Sequence, residues 1–327
     1  MPELLIEIDE EMYRSCLTYE KGKPVLYVKL LKALYGTLQA ARLFWEKLSR
    51  KLQEWGYEFN PYNACVMNKT VNDKQCTVVW HVDDIKVSYE DPKVIDEFIH
   101  KMEEEFRKEA PLTKTREKIL NYLGMKLDYT VEGQVTVDMR EYVQMVVDQA
   151  PENMKGNAKT PAASHLFEVN NEDPKLLNEA DSTLFHHITM QLQYLSQRGR
   201  PDIRMAIAFL SSRVSKPDRN DYKKLSRVIS YLRNTINLML VLSANDSREI
   251  QWWVDASHAV HPDMRGHTGG TMSLGGGSIY STSTKQKLVS RSSTESEPIC
   301  LPLKSQECVG GNGHKRQEFK CNFNRQE

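Results

Sequence analysis

Apolar residues at Leu38, Ala41, Trp45, Leu48, Leu52 and Trp55 alternate steps of three and four, and Gly56 follows as a stop. One face of an α-helix collects such a set, so the spacing predicts an amphipathic helix. Thr77 to Val82 and Ile85 to Ser88 are β-rich runs on either side of Asp83 and Asp84, the pattern of a hairpin with an acidic turn. Asp91 as cap and Pro92 in the first turn open a second helix, with Val94, Ile95, Phe98, Ile99, Met102 and Phe106 on its buried face. Strand-like segments at Tyr122 to Thr130 and Gln134 to Met139, joined through Glu132 and Gly133, read as another hairpin.

Between Pro151 and Pro174 the pattern turns polar and loop-like, which predicts a domain boundary. Three helical patterns follow. Ser182 is expected to cap the first, Pro201 starts the second after Arg198 to Arg200, and the third carries Tyr222, Leu225, Ile229 and Leu232 on one side. From Ile250 the character is β-rich: Ile250 to Val254 reads as a strand, and Gly269 to Tyr280 as further strands around a Gly275 to Gly277 turn. From Val309 to Glu327 only Val309, Phe319, Cys321 and Phe323 are apolar, so a disordered tail is expected. The mixture is α+β.

A chain of 327 residues with 40% hydrophobic content can bury about two or three cores. Lys plus Arg equals Asp plus Glu at 44 each, so nucleic-acid affinity must come from local patches. One such patch is Arg213 to Arg233, where Arg213, Lys216, Arg219, Lys223, Lys224, Arg227 and Arg233 oppose Asp218 and Asp221; seven minus two leaves five positive charges. That helix could track phosphates or simply present a solvated face.

The first residues are acidic and no targeting segment is expected; the longest apolar stretch, Leu238 to Leu242, is too short to span a bilayer. A soluble intracellular protein is the expectation. The six cysteines are read as reduced thiols, and the spacing of Cys300, Cys308, His314 and Cys321 matches none of the usual short zinc-ligand pairs.

Two-metal phosphoryl transfer needs carboxylates converging on ions about 4 Å apart. Asp83 and Asp84 alone could be ordinary turn residues, because Asp suits turn geometry. Their context points further. Trp80-His81-Val82-Asp83-Asp84 resembles the strand-Asp-Asp-strand motif of reverse transcriptases, with His81 where a Tyr usually stands. Upstream, the stretch from Leu31 through Leu34-Tyr35-Gly36 to Trp45 resembles the copia-type Leu-Tyr-Gly element, and downstream Tyr122-Leu123-Gly124-Met125 resembles that family's Leu-Gly strand. The resemblance continues through Arg200-Pro201-Asp202-Ile203 and the Tyr231-Leu232 helix. Near the end, Trp252-Trp253-Val254-Asp255-Ala256-Ser257, His267-Thr268-Gly269-Gly270 and Ser290 to Glu297 resemble the copia-type ribonuclease H domain.

The resemblance, to a copia-type retrotransposon reverse transcriptase with ribonuclease H, implies an α+β chain. It would hold partial fingers and palm at 1–130, a thumb or connection at 131–245, mainly helical after 180, a partial ribonuclease H-like α/β unit at 246–300 and an unmatched tail at 301–327. Asp83 and Asp84 would then be palm ligands for magnesium, and Tyr35, Gly36, Gln39 and Arg42 would lie near nucleotide and template. Asp255 and Glu297, with Glu295 the lesser choice, would bind the magnesium ions that cleave RNA in a hybrid. The partners implied are an RNA template, a DNA primer, an RNA/DNA hybrid, deoxynucleoside triphosphates and other element-encoded proteins, in a cytoplasmic particle or the nucleus.

Several absences qualify the activity. The family's third palm aspartate ends a strand before the Leu-Tyr-Gly element. Asp9 is the only early candidate, and Glu10, Glu11 and Met12 follow it. The glutamates near the end are also spaced as capping boxes, Ser292 with Glu295 or Thr294 with Glu297. Beyond them Pro298 and Pro302 exclude the expected helix, and no aspartate follows, as a frame shift near Glu297 would produce. The expectation is therefore a polymerase fragment, inactive alone. The alternatives are a non-catalytic nucleic-acid-binding or scaffold protein derived from the element, and an untranslated relic.

Overall fold

The computed structural model describes residues 7–296 apart from 15, 28, 30–33, 35, 108–110, 171 and 246–249. The chain divides into two compact units, residues 1–108 and 109–327. The segments 131–245 and 246–300 fall within the same unit.

In the first unit a short helix α1 (Glu10–Arg14) and a two-stranded hairpin, β1 (Leu17–Glu20) and β2 (Lys23–Leu26), precede helix α2 (Leu38–Glu54). The predicted apolar stripe forms α2. Thr37 caps it by accepting from the Ala40 N–H at 3.2 Å, and Leu48 and Leu52 are buried. An antiparallel sheet follows in the order β3 (Glu58–Asn60), β4 (Asn63–Val71), β5 (Lys74–His81), β6 (Asp84–Ser88). Along β5, Cys76, Val78 and Trp80 alternate onto the buried face, as the two-residue period of a strand requires. Helix α3 (Pro92–Phe106) starts as predicted, with Asp91 accepting from the Lys93 N–H at 2.9 Å, and buries Phe98, Met102 and Phe106. Trp55 and Tyr57 meet Phe98 edge-on at 6.0 Å, and each fully buried aromatic contributes about 2 kcal/mol.

The second unit holds a five-stranded sheet and a three-stranded sheet around a helical core. The five-stranded sheet contains β7 (Ile119–Tyr122), β8 (Met125–Asp128), β9 (Gln134–Asp138), β10 (Leu240–Ala244) and β13 (Gly275–Gly276), in the order β13-β10-β9-β8-β7. The expected strand over Tyr122 to Thr130 is thus broken. Leu123 and Gly124, both at positive φ (49° and 71°), turn the chain between β7 and β8. A Cβ on Gly124 would lie 2.5 Å from the Tyr194 hydroxyl oxygen, so the site requires glycine twice over, for backbone angle and for space.

The core is built by α4 (Arg140–Gln149), α5 (Glu179–Arg198), α6 (Arg204–Ser211) and α7 (Arg219–Asn234), with Phe185, Ile188, Leu192, Ile207, Leu225 and Ile229 among its fully buried residues. Asn178, rather than Ser182, caps α5 by accepting from the Asp181 N–H at 2.8 Å. The polar stretch after Pro151 lies along α7 instead of hanging free. Met154 and Leu166 are buried, the Gly156 N–H donates to Ser230 Oγ at 3.0 Å, and Arg227 Nε donates to the Thr160 carbonyl at 3.1 Å.

The three-stranded sheet has the order β11 (Gln251–Ser257), β12 (His267–Ser273), β14 (Tyr280–Lys285). Strand β11 runs past the predicted end at Val254, so Asp255 is inside it and pairs with Gly269. The glycines read as a turn also bridge the two sheets. Gly275 and Gly276 pair with Ala244 and Ser243, and a Cβ on Gly277 (φ 75°) would fall 2.0 Å from the Val241 carbonyl oxygen. Among the described residues no helix is long and apolar enough to cross a membrane.

Candidate active site and nucleic-acid interface

The acidic hairpin forms, one residue out of the expected phase. His81 pairs with Asp84, so Val82 and Asp83 make the turn and Asp84 begins β6. The first turn position has a left-handed backbone, φ 55°, and is occupied by a β-branched valine that is 50% exposed. A φ above zero there suits a two-residue hairpin, but glycine or asparagine normally fills it, and a valine stores strain. Trp80, nearly fully buried, anchors the strand, and the adjacent carboxylates of Asp83 and Asp84 are exposed at its tip.

Of the residues expected near nucleotide and template, Tyr35 lies outside the described residues. Gly36 (φ 84°) turns the chain into the Thr37 cap, and Gln39 and Arg42, one helical turn apart, are exposed at the start of α2. Arg42 Nε donates to Glu46 Oε1 at 2.8 Å, a surface pair worth a few tenths of a kcal/mol. No hydrogen bond or ion pair joins these side chains to Asp83 or Asp84 among the described residues.

Asp9 is engaged locally: its Oδ1 accepts from the Met12 N–H at 3.0 Å, as a helix cap does. Among the described residues no three His, Cys, Asp or Glu side chains gather where they could hold a metal. The donor set at the hairpin is the two neighbouring carboxylates of Asp83 and Asp84.

Asp255 is exposed, beside Trp253 on the same face of β11, and Gly269 opposite it leaves the shelf open. Glu297 lies outside the described residues. Glu295 forms one half of the capping box that its spacing allowed: its N–H donates to Ser292 Oγ at 3.2 Å, but its Oε2 accepts from the N–H of Arg291, one residue before the cap, at 2.8 Å. This helical turn, Ser293–Ser296, packs against β11. A buried hydroxyl seam fastens it: His258 Nδ1 lies 3.0 Å from Ser290 Oγ, and Gln286 Nε2 donates to the Ser296 carbonyl and to Thr268 Oγ1, both at 3.0 Å.

Three of the basic side chains counted around α7 are held by local partners. Arg213 pairs with Asp221 at 2.9 Å, buried Lys224 donates to the Glu168 carbonyl at 2.6 Å, and Arg227 holds Thr160. Burial also pushes the Lys224 ammonium below its ordinary value. Lys216, Arg219 and Lys223 are exposed on and just before this helix.

Residues 4–163 match the family model described as reverse transcriptase (RNA-dependent DNA polymerase). The chain is 25% identical over 275 residues to the putative transposon Ty5-1 protein of Saccharomyces cerevisiae, covering 83% of this chain and 86% of that protein. It is 27% identical to the retrovirus-related Pol polyprotein from transposon RE1 of Arabidopsis thaliana and 26% identical to that from transposon TNT 1-94 of Nicotiana tabacum. The chain belongs to the copia-type retrotransposon reverse transcriptase family. Those two alignments cover 85% and 88% of this copia-type chain but only 18% and 22% of the polyproteins. No solved structure matches it. The matched reverse transcriptase region contains the Asp83-Asp84 hairpin and the Leu123-Gly124 turn; Asp255 lies beyond it.

The structure assigns other motif residues to the framework. Arg200 and Asp202 of the Arg-Pro-Asp-Ile string form a buried staple: Arg200 donates to Asp202 at 2.8 and 3.0 Å, and to the Thr235 carbonyl and hydroxyl at 2.9 and 2.7 Å. Sequence reading named Arg198 and His267 only within longer strings and gave neither its structural partner: Arg198 stacks on Tyr194 one helical turn earlier, and His267 meets His261 beneath Phe167 from a distant segment.

Proposed function

We propose that this chain is the primer-template-binding portion of a copia-type RNA-directed DNA polymerase, with a ribonuclease H-like continuation, and that it binds nucleic acid without extending a primer by itself. The observation that supports this most directly is the exposed Asp83-Asp84 pair on its hairpin, with no third carboxylate gathered beside it among the described residues. Two adjacent carboxylates could hold one magnesium ion; the ion that activates the primer hydroxyl needs a further donor. The palm role of Asp83 and Asp84 and the hybrid-cleaving role of Asp255 and Glu297 belong to this proposal, as do RNA template, DNA primer and hybrid as partners.

A primer-extension assay with magnesium, run beside an equilibrium binding assay on the same primer-template, tests it. The expected result is binding in the absence of extension, with Asp83→Asn binding as wild type does. Extension that disappears in Asp83→Asn would show a complete site and overturn the incomplete-site reading. Failure of the chain to bind primer-template would remove the nucleic-acid role.

A further inference from the structure

The guanidinium carbon of Arg198, the last residue of α5, lies 4.0 Å from the centroid of the Tyr194 ring. That ring is itself fixed. Its hydroxyl donates to the Leu123 carbonyl in the Leu123-Gly124 turn, and Tyr142 packs on it with centroids 5.2 Å apart. The Tyr142 hydroxyl in turn donates to the Gln191 carbonyl at 3.3 Å. Two tyrosines, a helix and a left-handed turn thus hold one cation in place.

Arg198 differs from four other arginines of this unit that are tied to acceptors, and unlike the remaining untied ones it is stacked on a fixed ring. Arg140 is bound to Asp138, Arg200 to Asp202 and Thr235, Arg213 to Asp221, and Arg227 to Thr160. Among the described residues Arg198 has neither a carboxylate partner nor an acceptor for its N–H groups. Stacking uses the face of a guanidinium and leaves its edge of parallel donors free, and that edge matches two oxygens of a phosphate. A cation at a helix C-terminus also favours the helix dipole, but that needs charge alone, near the last carbonyls, and no aromatic platform. A held guanidinium has little conformational entropy left to lose when an anion arrives.

We infer that Arg198, stacked on Tyr194 beside the Leu123-Gly124 turn, is a preformed receptor for one backbone phosphate of the bound nucleic acid. The inference rests on the reading that this chain binds primer-template, and it adds a contact that the acidic hairpin does not supply.

The test is fluorescence anisotropy of the full chain, without metal, on a labelled DNA primer annealed to an RNA template, across a salt series. Relative to wild type, Arg198→Ala should weaken binding about tenfold near 0.1 M salt and make the slope of log K against log salt shallower by about 0.9, the release of one phosphate contact. Lys101→Ala, on the exposed side of α3, should change neither value appreciably. Arg198→Lys keeps the charge and loses the fork, so its slope should stay at the wild-type value while its affinity falls between the other two.

Wild-type affinity and slope in a folded Arg198→Ala protein overturn the inference while leaving nucleic-acid binding standing. If thermal melting shows that Arg198→Ala is unfolded, Arg198→Lys decides: wild-type affinity there overturns the receptor. Absence of binding by the wild type sinks the underlying reading and this inference together.

Discussion

At the scale of single residues, the hairpin that carries Asp83 and Asp84 is shaped by its neighbour. Val82 holds φ 55° with its side chain half in solvent, so it gains little packing in return for a conformation that costs a β-branched residue on the order of 1–2 kcal/mol. Val82→Gly should therefore raise the urea midpoint, by an amount equivalent to about 1 kcal/mol after the entropy of glycine is subtracted. An unchanged or lowered midpoint would mean that the valine is held without strain. Gly124 is the converse case. Gly124→Ala meets both a left-handed φ and the Tyr194 hydroxyl, and a loss of about 1–3 kcal/mol is expected from the same measurement. Alternating apolar residues revealed that a hairpin exists around the two aspartates. They could not settle which two residues turn, because Thr77 to Val82 and Ile85 to Ser88 fit either phase until Trp80 and Val78 are committed to a buried face.

At the scale of elements, the helices were the most legible part, since α2, α3 and α7 each bury one stripe and carry a polar cap that local sequence displays. The chain between Pro151 and Pro174 was opaque for a physical reason. Its attachments are backbone and side-chain hydrogen bonds to Ser230, Arg227 and Lys224, far along the chain, and leave no periodic trace. The same holds for Arg200. The motif is visible in sequence, but its function as a staple between the end of α5 and the end of α7 appears only with Thr235 in place. Because Arg200 is 2% exposed and its partner Asp202 is also held by the Tyr231 hydroxyl at 2.8 Å, Arg200→Ala leaves a partly buried carboxylate without its cation. A destabilisation of about 3–5 kcal/mol should appear in equilibrium denaturation followed by tryptophan fluorescence and circular dichroism. A loss under about 1 kcal/mol would show that the staple is dispensable.

At the scale of the whole chain, 44 basic and 44 acidic residues cancel, so the chain carries no net field of its own. In the second unit one buried polar contact also joins three parts of the fold. His261 Nε2 lies 3.0 Å from His267 Nδ1, and His267 Nε2 lies 2.7 Å from Ser283 Oγ on β14. Phe167, from the strap along α7, covers both imidazoles at 4.7 and 4.8 Å and meets Phe209 of α6 edge-on at 5.6 Å. Burial holds His267 down to about 4, and burial first, then the Lys285 ammonium, lowers His261; Asp263, paired with Lys285, acts the other way. The unfolded chain takes up these protons near pH 6.5 while the folded protein does not, so the unfolded state binds more protons between about pH 6.5 and 4. Stability is full above pH 6.5 and falls as the pH drops through that window, by on the order of 3 kcal/mol from His267. Urea midpoints at pH 7.5, 6.0 and 5.0 should fall in that order, and His267→Gln, which can hydrogen-bond but cannot take a proton, should flatten the decline even if it lowers the midpoint at pH 7.5. An equally steep decline in His267→Gln would place the acid sensitivity elsewhere and leave the histidine pair a passive part of the core.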